Sequence, residues 1–259
     1  MNRNSTRNRW VFPLLFALLI AAGMIWINYA LAVRSKTGRE FQILSLSGRS
    51  LLQKGQSPYK QEVPPSVQGD FQTNREALSV FDQTFHYPIY IIILTAPLVL
   101  LGEGPAAQVA WMLILELALA GGVYLIMKSI GWRKAGAEIW AAGLLFLFSP
   151  PAIASFRSGE AAVLSFAALM LAIYLLDRDR PLPAGFFLAV STITPRIVVL
   201  IIPFLLLWAA FQHQGRFILA FLVSLILLGS LPLLAVPDWP LQWIWNTIGL
   251  FGAGGKDGS

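Results

Sequence analysis

The chain has 259 residues and a formal net charge of +6, with 56% of residues hydrophobic and 12% charged, against about a quarter charged in soluble domains. Together with a mean hydropathy of +0.66, this excludes an ordinary soluble domain and points to an integral membrane protein. The absence of Cys excludes thiolate metal sites, Cys nucleophiles and disulfides, and the 19 Lys and Arg lie in short loops between apolar runs, a membrane pattern rather than a nucleic-acid surface.

Residues 1–10 carry Arg3, Arg7 and Arg9 and read as a cytoplasmic N-terminus. Residues 11–33 are uncharged and would form a helix about 34 Å long, enough to cross a bilayer. They read as a first transmembrane helix, an uncleaved signal anchor longer than the apolar core of a signal peptide. Residues 34–86 form a polar outer loop with seven basic and five acidic side chains, broken by Gly55, Pro58, Pro64, Pro65 and Gly69. Within it, Phe41, Leu44, Leu51 and Leu52 mark the apolar side of residues 40–54, which predicts an amphipathic helix on the membrane surface.

Residues 87–236 read as a membrane helix bundle, with apolar runs at 87–102, 105–127, 139–156, 161–176, 182–195, 197–211 and 217–236. No internal repeat is evident. The expected class is all-α, a polytopic transmembrane bundle. Residues 237–259 complete the chain as an aromatic interfacial segment and a flexible tail, with Trp239, Trp243 and Trp245 as an outer belt.

Charge sets the topology. If residues 87–102, which contain Pro88 and Pro97, dip into the outer interface without crossing, then Lys128, Arg133, Lys134, Arg178, Arg180 and Arg216 join the N-terminal arginines on the cytoplasmic side. This predicts about seven spans plus interfacial or re-entrant helices. It also brings Glu40, His86, Tyr87, Arg157, Glu160 and Arg196 to the outer side, at the ends of different segments. Ionisable groups close to hydrocarbon are costly and are kept mainly where they pair or act, so an outer polar pocket is expected.

Three stretches, Glu40-Phe41-Gln42-Ile43, Gly55-Gln56-Ser57-Pro58-Tyr59 and Phe85-His86-Tyr87-Pro88, resemble the first-loop pattern of glycosyltransferase family 87. Ser158-Gly159-Glu160 and the segment from Ala184-Gly185 to Thr194-Pro195 extend the resemblance over roughly residues 10–250. Glu40 stands where the family has Asp, Ile89 replaces the second proline of Tyr-Pro-Pro, and Thr194 replaces a Lys, with Arg196 two residues on. Members are usually longer, so the chain reads as a C-terminally truncated relative.

The resemblance implies a multi-pass cell-membrane enzyme of the C-type glycosyltransferase superfamily. It would move a hexose, typically mannose, from a polyprenyl-phosphate donor to a lipid or glycan acceptor on the outer face, with membrane lipids around it and no nucleic-acid partner. Glu40 would take the acceptor's proton. Arg157 and Arg196 would hold the donor phosphate, because guanidinium binds phosphate oxygens bidentately and stays charged. His86, Tyr87, Tyr59 and Glu160 would line the substrate site. No cofactor and no metal site are expected, since no His pair or carboxylate cluster has ligand spacing.

Each of these residues also has a plainer role. Glu40 could pair with Arg39 or Lys36, both arginines could snorkel to headgroups, and His86 could be an interfacial hydrogen-bonding residue. Asp177-Arg178-Asp179 imitates a metal-binding Asp-x-Asp but reads as a solvated charge run on the cytoplasmic side. Glu116, in the middle of an apolar run, is either a helix-packing contact or the ion site of a small-solute transporter. The alternatives to an enzyme are thus a non-catalytic homologue that binds polyprenyl lipid or a partner, and a transporter.

Overall fold

The computed structural model describes residues 11–34, 38–60, 85–102, 104–129 and 137–253. The N-terminal arginines, Lys36, Arg133, Lys134 and the tail from 254 lie outside them. Every regular element among the described residues is helical, as the composition predicts.

The first helix, α1, runs Val11–Arg34. The amphipathic helix α2, Arg39–Lys54, starts behind Gly38 and stops at Gly55, both in the left-handed region. Its buried face carries Phe41, Ile43, Leu44, Ser47, Gly48 and Leu51. Leu52, expected on that face, is 43% exposed, because it lies one residue, about 100° of helix rotation, beyond Leu51. A 3-10 turn, Pro58–Lys60, follows. Next come α3, Tyr90–Leu101, which packs along α2, and α4, Pro105–Ser129.

The run at 139–156 is cut in two. Ser149 accepts from the Ala152 amide and Pro150 and Pro151 occupy the first turn of a new helix, so α5, Ala137–Leu147, ends and α6, Pro150–Ser158, begins. An elbow at Gly159 leads to α7, Ala162–Asp177, with 117° between α6 and α7. Then follow α8, Pro181–Ser191, a single turn α9, Pro195–Val198, and α10, Ile201–Phe211. The chain closes with α11, Gly215–Ser230, a 3-10 turn Leu231–Leu234, and α12, Trp239–Ala253.

Among the described residues two stretches are long and apolar enough to cross a membrane, α4 and Gly215–Leu234; counting α6 with α7 as one broken span makes three. The seven long runs expected are not seven long helices. Prolines and turns divide them, and an 11-residue helix such as α8 or α10 is about 16 Å long against roughly 30 Å of hydrocarbon.

The core of the bundle is α4, α7, α8 and α11 packed in sequence. Gly185 makes the α8–α11 contact possible: a Cβ there would lie 2.6 Å from the Phe221 amide nitrogen and 2.7 Å from the Phe217 carbonyl oxygen. On the far side α1 packs against α4, where buried Asn28 donates to the Glu116 carboxyl at 3.1 Å. Glu116 is thereby paired, as a helix-packing contact requires.

The bundle has two chemically different ends. At one, Lys128 lies 5.6 Å from the Tyr124 ring centre and 5.4 Å from that of Tyr174, whose ring also carries Arg178 at 5.1 Å. Asp177-Arg178-Asp179 forms the exposed turn between α7 and α8 at this end. Glu160 precedes α7 at the opposite end, about 24 Å away along the helix.

Candidate functional site

Glu40 sits in the first turn of α2, where unpaired backbone amides favour a carboxylate. Gly38 fixes that turn by donating its amide to the Arg157 carbonyl oxygen at 2.6 Å. Phe41 stacks on Trp111 of α4 with ring centres 5.7 Å apart, and the Trp111 indole donates to the Gly159 carbonyl at 2.8 Å. Gly159 (φ 77°) lies so close that a Cβ would be 3.2 Å from the Phe41 amide nitrogen. Glycine is therefore required at the elbow both for its backbone angle and for space.

Into this frame comes the segment before α3. Tyr87 is 1% exposed, and its hydroxyl donates to Glu40 Oε2 at 3.1 Å. Burial, then the negative charges of Glu40 and Glu160, push the phenol well above its ordinary range, against a smaller opposing pull from the Ala161 backbone. Tyr87 thus remains a proton-bearing donor between two carboxylates. The Tyr59 hydroxyl donates to the Tyr87 carbonyl at 2.9 Å, and the Trp243 indole donates to the His86 carbonyl at 3.0 Å. The His86 ring lies 4.2 Å from that of Tyr87.

The remaining wall is the elbow and the break between α8 and α9. Glu160 and Arg196 form an ion pair, with side chains 26% and 54% exposed. The Thr194 amide donates to buried Ser165 at 2.9 Å, and Tyr90 and Thr192 share a hydroxyl hydrogen bond of 2.6 Å. The structure therefore brings Glu40, Tyr59, His86, Tyr87, Glu160 and Arg196 together. Arg157 joins them through its main chain, while its side chain is exposed.

Two expectations change in detail. The Arg196 guanidinium meets Glu160, so a phosphate there would have to share or displace that partner. Of the three expected belt tryptophans, Trp239 is 6% exposed and donates to the Gly229 carbonyl, Trp243 donates to the His86 carbonyl, and Trp245 stands out at 70%. A Trp whose N–H finds a carbonyl is as content inside as at an interface.

Sequence reasoning missed Trp111, the residue joining the site to its surroundings. It also missed an apolar groove of about 420 Å³ between α3, α4, α7 and α8, lined by Thr95, Trp111, Ala118, Gly121, Leu171 and Ile193 among others. From Trp111 to Leu125 the groove follows α4 for about 21 Å. The small residues Ala118, Gly121 and Gly122 in one apolar run were the available signal.

The model of glycosyltransferase family 87 matches residues 85–253. The match takes in His86, Tyr87, Arg157, Glu160 and Arg196, and leaves Glu40 and Tyr59 on its N-terminal side. Neither curated proteins nor solved structures give a match.

Proposed function

This chain belongs to glycosyltransferase family 87, a family of membrane glycosyltransferases, and from that premise we propose that it transfers a hexose, mannose in the first instance, from a polyprenyl-phosphate donor to a lipid or glycan acceptor on the outer face of the cell membrane. One observation carries the reading: Glu40, oriented by Tyr87, is next to Phe41, whose ring stacks on Trp111 in the lining of the apolar groove. A polar reaction centre at the end of a groove about 21 Å long is what a phosphosugar on a long hydrocarbon chain requires.

In this mechanism Glu40 takes the proton of the acceptor hydroxyl as its oxygen bonds to the anomeric carbon. The bond from that carbon to the phosphate oxygen breaks, and its electron pair leaves with the polyprenyl phosphate. Arg196, and Arg157 beside the elbow, supply positive charge for that phosphate, and Glu160 holds Arg196 in place until the donor arrives. Each passage of the chain between the two ends of the bundle counts as a crossing: α1, α4, α5 with α6, α7, α8, α10 and α11. The proposal assigns the expected seven crossings of a C-type architecture to these segments, the short α8 and α10 included, with α2 and α3 at the outer interface and the Lys128–Arg178 end cytoplasmic, in keeping with the excess of basic residues there.

The test is transfer by the purified protein in lipid, with labelled polyprenyl-phosphate mannose and a membrane-lipid extract, alongside Glu40→Gln. Turnover that disappears in the variant supports the reading. A wild type that binds donor without turnover overturns it in favour of a non-catalytic lipid-binding homologue, the reading that the occupied Arg196 favours.

A further inference from the structure

A polar cavity of about 600 Å³ lies between the turn at 55–60 and the start of α12, and it shares no lining residue with the apolar groove. Its polar wall is Ser50, Gln56, Ser57, Lys60, Asp238 and Gln242, beside the apolar Val236 and Pro237. The wall is braced. Ser50 donates to Gln56 Oε1 at 3.1 Å, the Gln56 amide returns to the Ser50 carbonyl at 3.2 Å, and Ser57 donates to Gln242 Oε1. The Gln242 side chain, the Asp238 backbone and, more weakly, the charge of Lys60 hold the Asp238 carboxyl below its usual range.

We propose that this cavity is the acceptor subsite and receives an uncharged, hydroxyl-rich head, a glycan or glycoside; the assignment rests on the transferase reading above. Three features point there. The charges of Lys60 and Asp238 cancel, so the cavity has no net positive charge to hold a phosphate. Its two side-chain amides and two serine hydroxyls offer donors and acceptors together, which suits sugar hydroxyls that are both, and Val236 and Pro237 suit the C–H face of a ring. The volume falls within the usual 300–1,000 Å³ or so of small-ligand sites.

Its position supplies a further feature. Tyr59, between lining residues Ser57 and Lys60, donates to the Tyr87 carbonyl, and Trp243, next to Gln242, donates to the His86 carbonyl. The cavity is therefore built onto the segment that carries Tyr87 to Glu40. Ser50 on its wall lies ten residues from Glu40 on α2, about 15 Å of helix, so an elongated glycan seated there extends toward the base, while the donor's chain occupies a groove with different walls.

The experiment is a titration of tryptophan fluorescence in the purified, lipid-reconstituted protein, since Trp239 and Trp243 flank the cavity. The probes are methyl α-mannopyranoside and, as its charged counterpart, mannose 6-phosphate. We expect saturable binding of the neutral glycoside, a preference for it over the phosphate, and affinity at least about tenfold weaker in Asp238→Asn and in Lys60→Met. Both substitutions are at exposed positions. Absence of saturable binding, equal affinity in both variants, or preference for the phosphorylated sugar overturns the proposal. Release of mannose to water from polyprenyl-phosphate mannose, measured in the same wild-type sample, reads the transferase assignment separately. Glycoside binding without that hydrolysis upholds the cavity and counts against the transferase.

Discussion

Tyr87 and Glu40, 47 residues apart in sequence, are joined by one hydrogen bond of 3.1 Å from phenol to carboxylate. The bond orients the carboxylate without removing its negative charge. Tyr87→Phe keeps the ring and loses the donor, so transfer should fall by about tenfold, the loss of roughly one charge-assisted hydrogen bond. Glu40→Gln removes the base itself and should cost about 10² to 10⁴ in rate. Initial rates with labelled donor distinguish the two, and equal losses would mean that Tyr87 does more than orient.

The buried phenols also set an alkaline limit. Burial pushes both Tyr59 and Tyr87 up in the folded protein, whereas in an unfolded chain a tyrosine titrates near pH 10 or so. The stabilisation they give is complete below that pH and is lost as pH rises above it, by about 1.4 kcal/mol per pH unit for each group. Denaturation midpoints between pH 9 and 11, values of about one unit either side of that pKa, should fall steeply in wild type and less steeply in Tyr87→Phe.

Gly121 faces open space in the apolar groove; no neighbouring heavy atom lies within 4 Å of a Cβ placed there. Gly121→Leu would fill the groove and would improve helix propensity by roughly 1 kcal/mol. The expected outcome is a stable protein whose KM for the polyprenyl donor rises about tenfold, a loss near 1.4 kcal/mol, with kcat little changed. Unaltered donor KM would move the hydrocarbon chain elsewhere.

Buried Asn28 and half-buried Glu116 form a polar pair between α1 and α4. Asn28→Leu leaves the carboxyl without that donor and should destabilise the protein by about 1–3 kcal/mol in detergent unfolding. Glu116→Gln keeps a hydrogen-bonding partner and should leave transfer intact. Loss of activity in that variant would revive an ion-coupled role for Glu116.

Much of this was legible in the residues. Hydropathy found the helices, and the polar residues at segment ends found Glu40, Tyr87 and Glu160 as neighbours, because charges near hydrocarbon must converge on something. Helix length was misjudged where Pro150 and Pro151 start a new helix inside the apolar run 139–156, since hydropathy is blind to the backbone. The partner of Arg196 was hidden as well: Glu160 is 36 residues away in sequence and meets it because α7 and α8, packed side by side, return the chain to the same end. Tryptophan counts gave no hint that Trp239 and Trp243 point inward, since their carbonyl partners come from the backbone of other segments.

Trp111 stacks beneath the residue next to Glu40 and also lines the groove. One ring therefore serves two chambers, like a party wall between adjoining houses. Replacing it disturbs the seat of the base and the groove in a single stroke, and the resulting kinetics mix both. Gly121 lies ten residues further along the same helix, about 15 Å from that wall. A change there is felt on one side only, which makes it the cleaner handle for separating lipid capture from proton transfer.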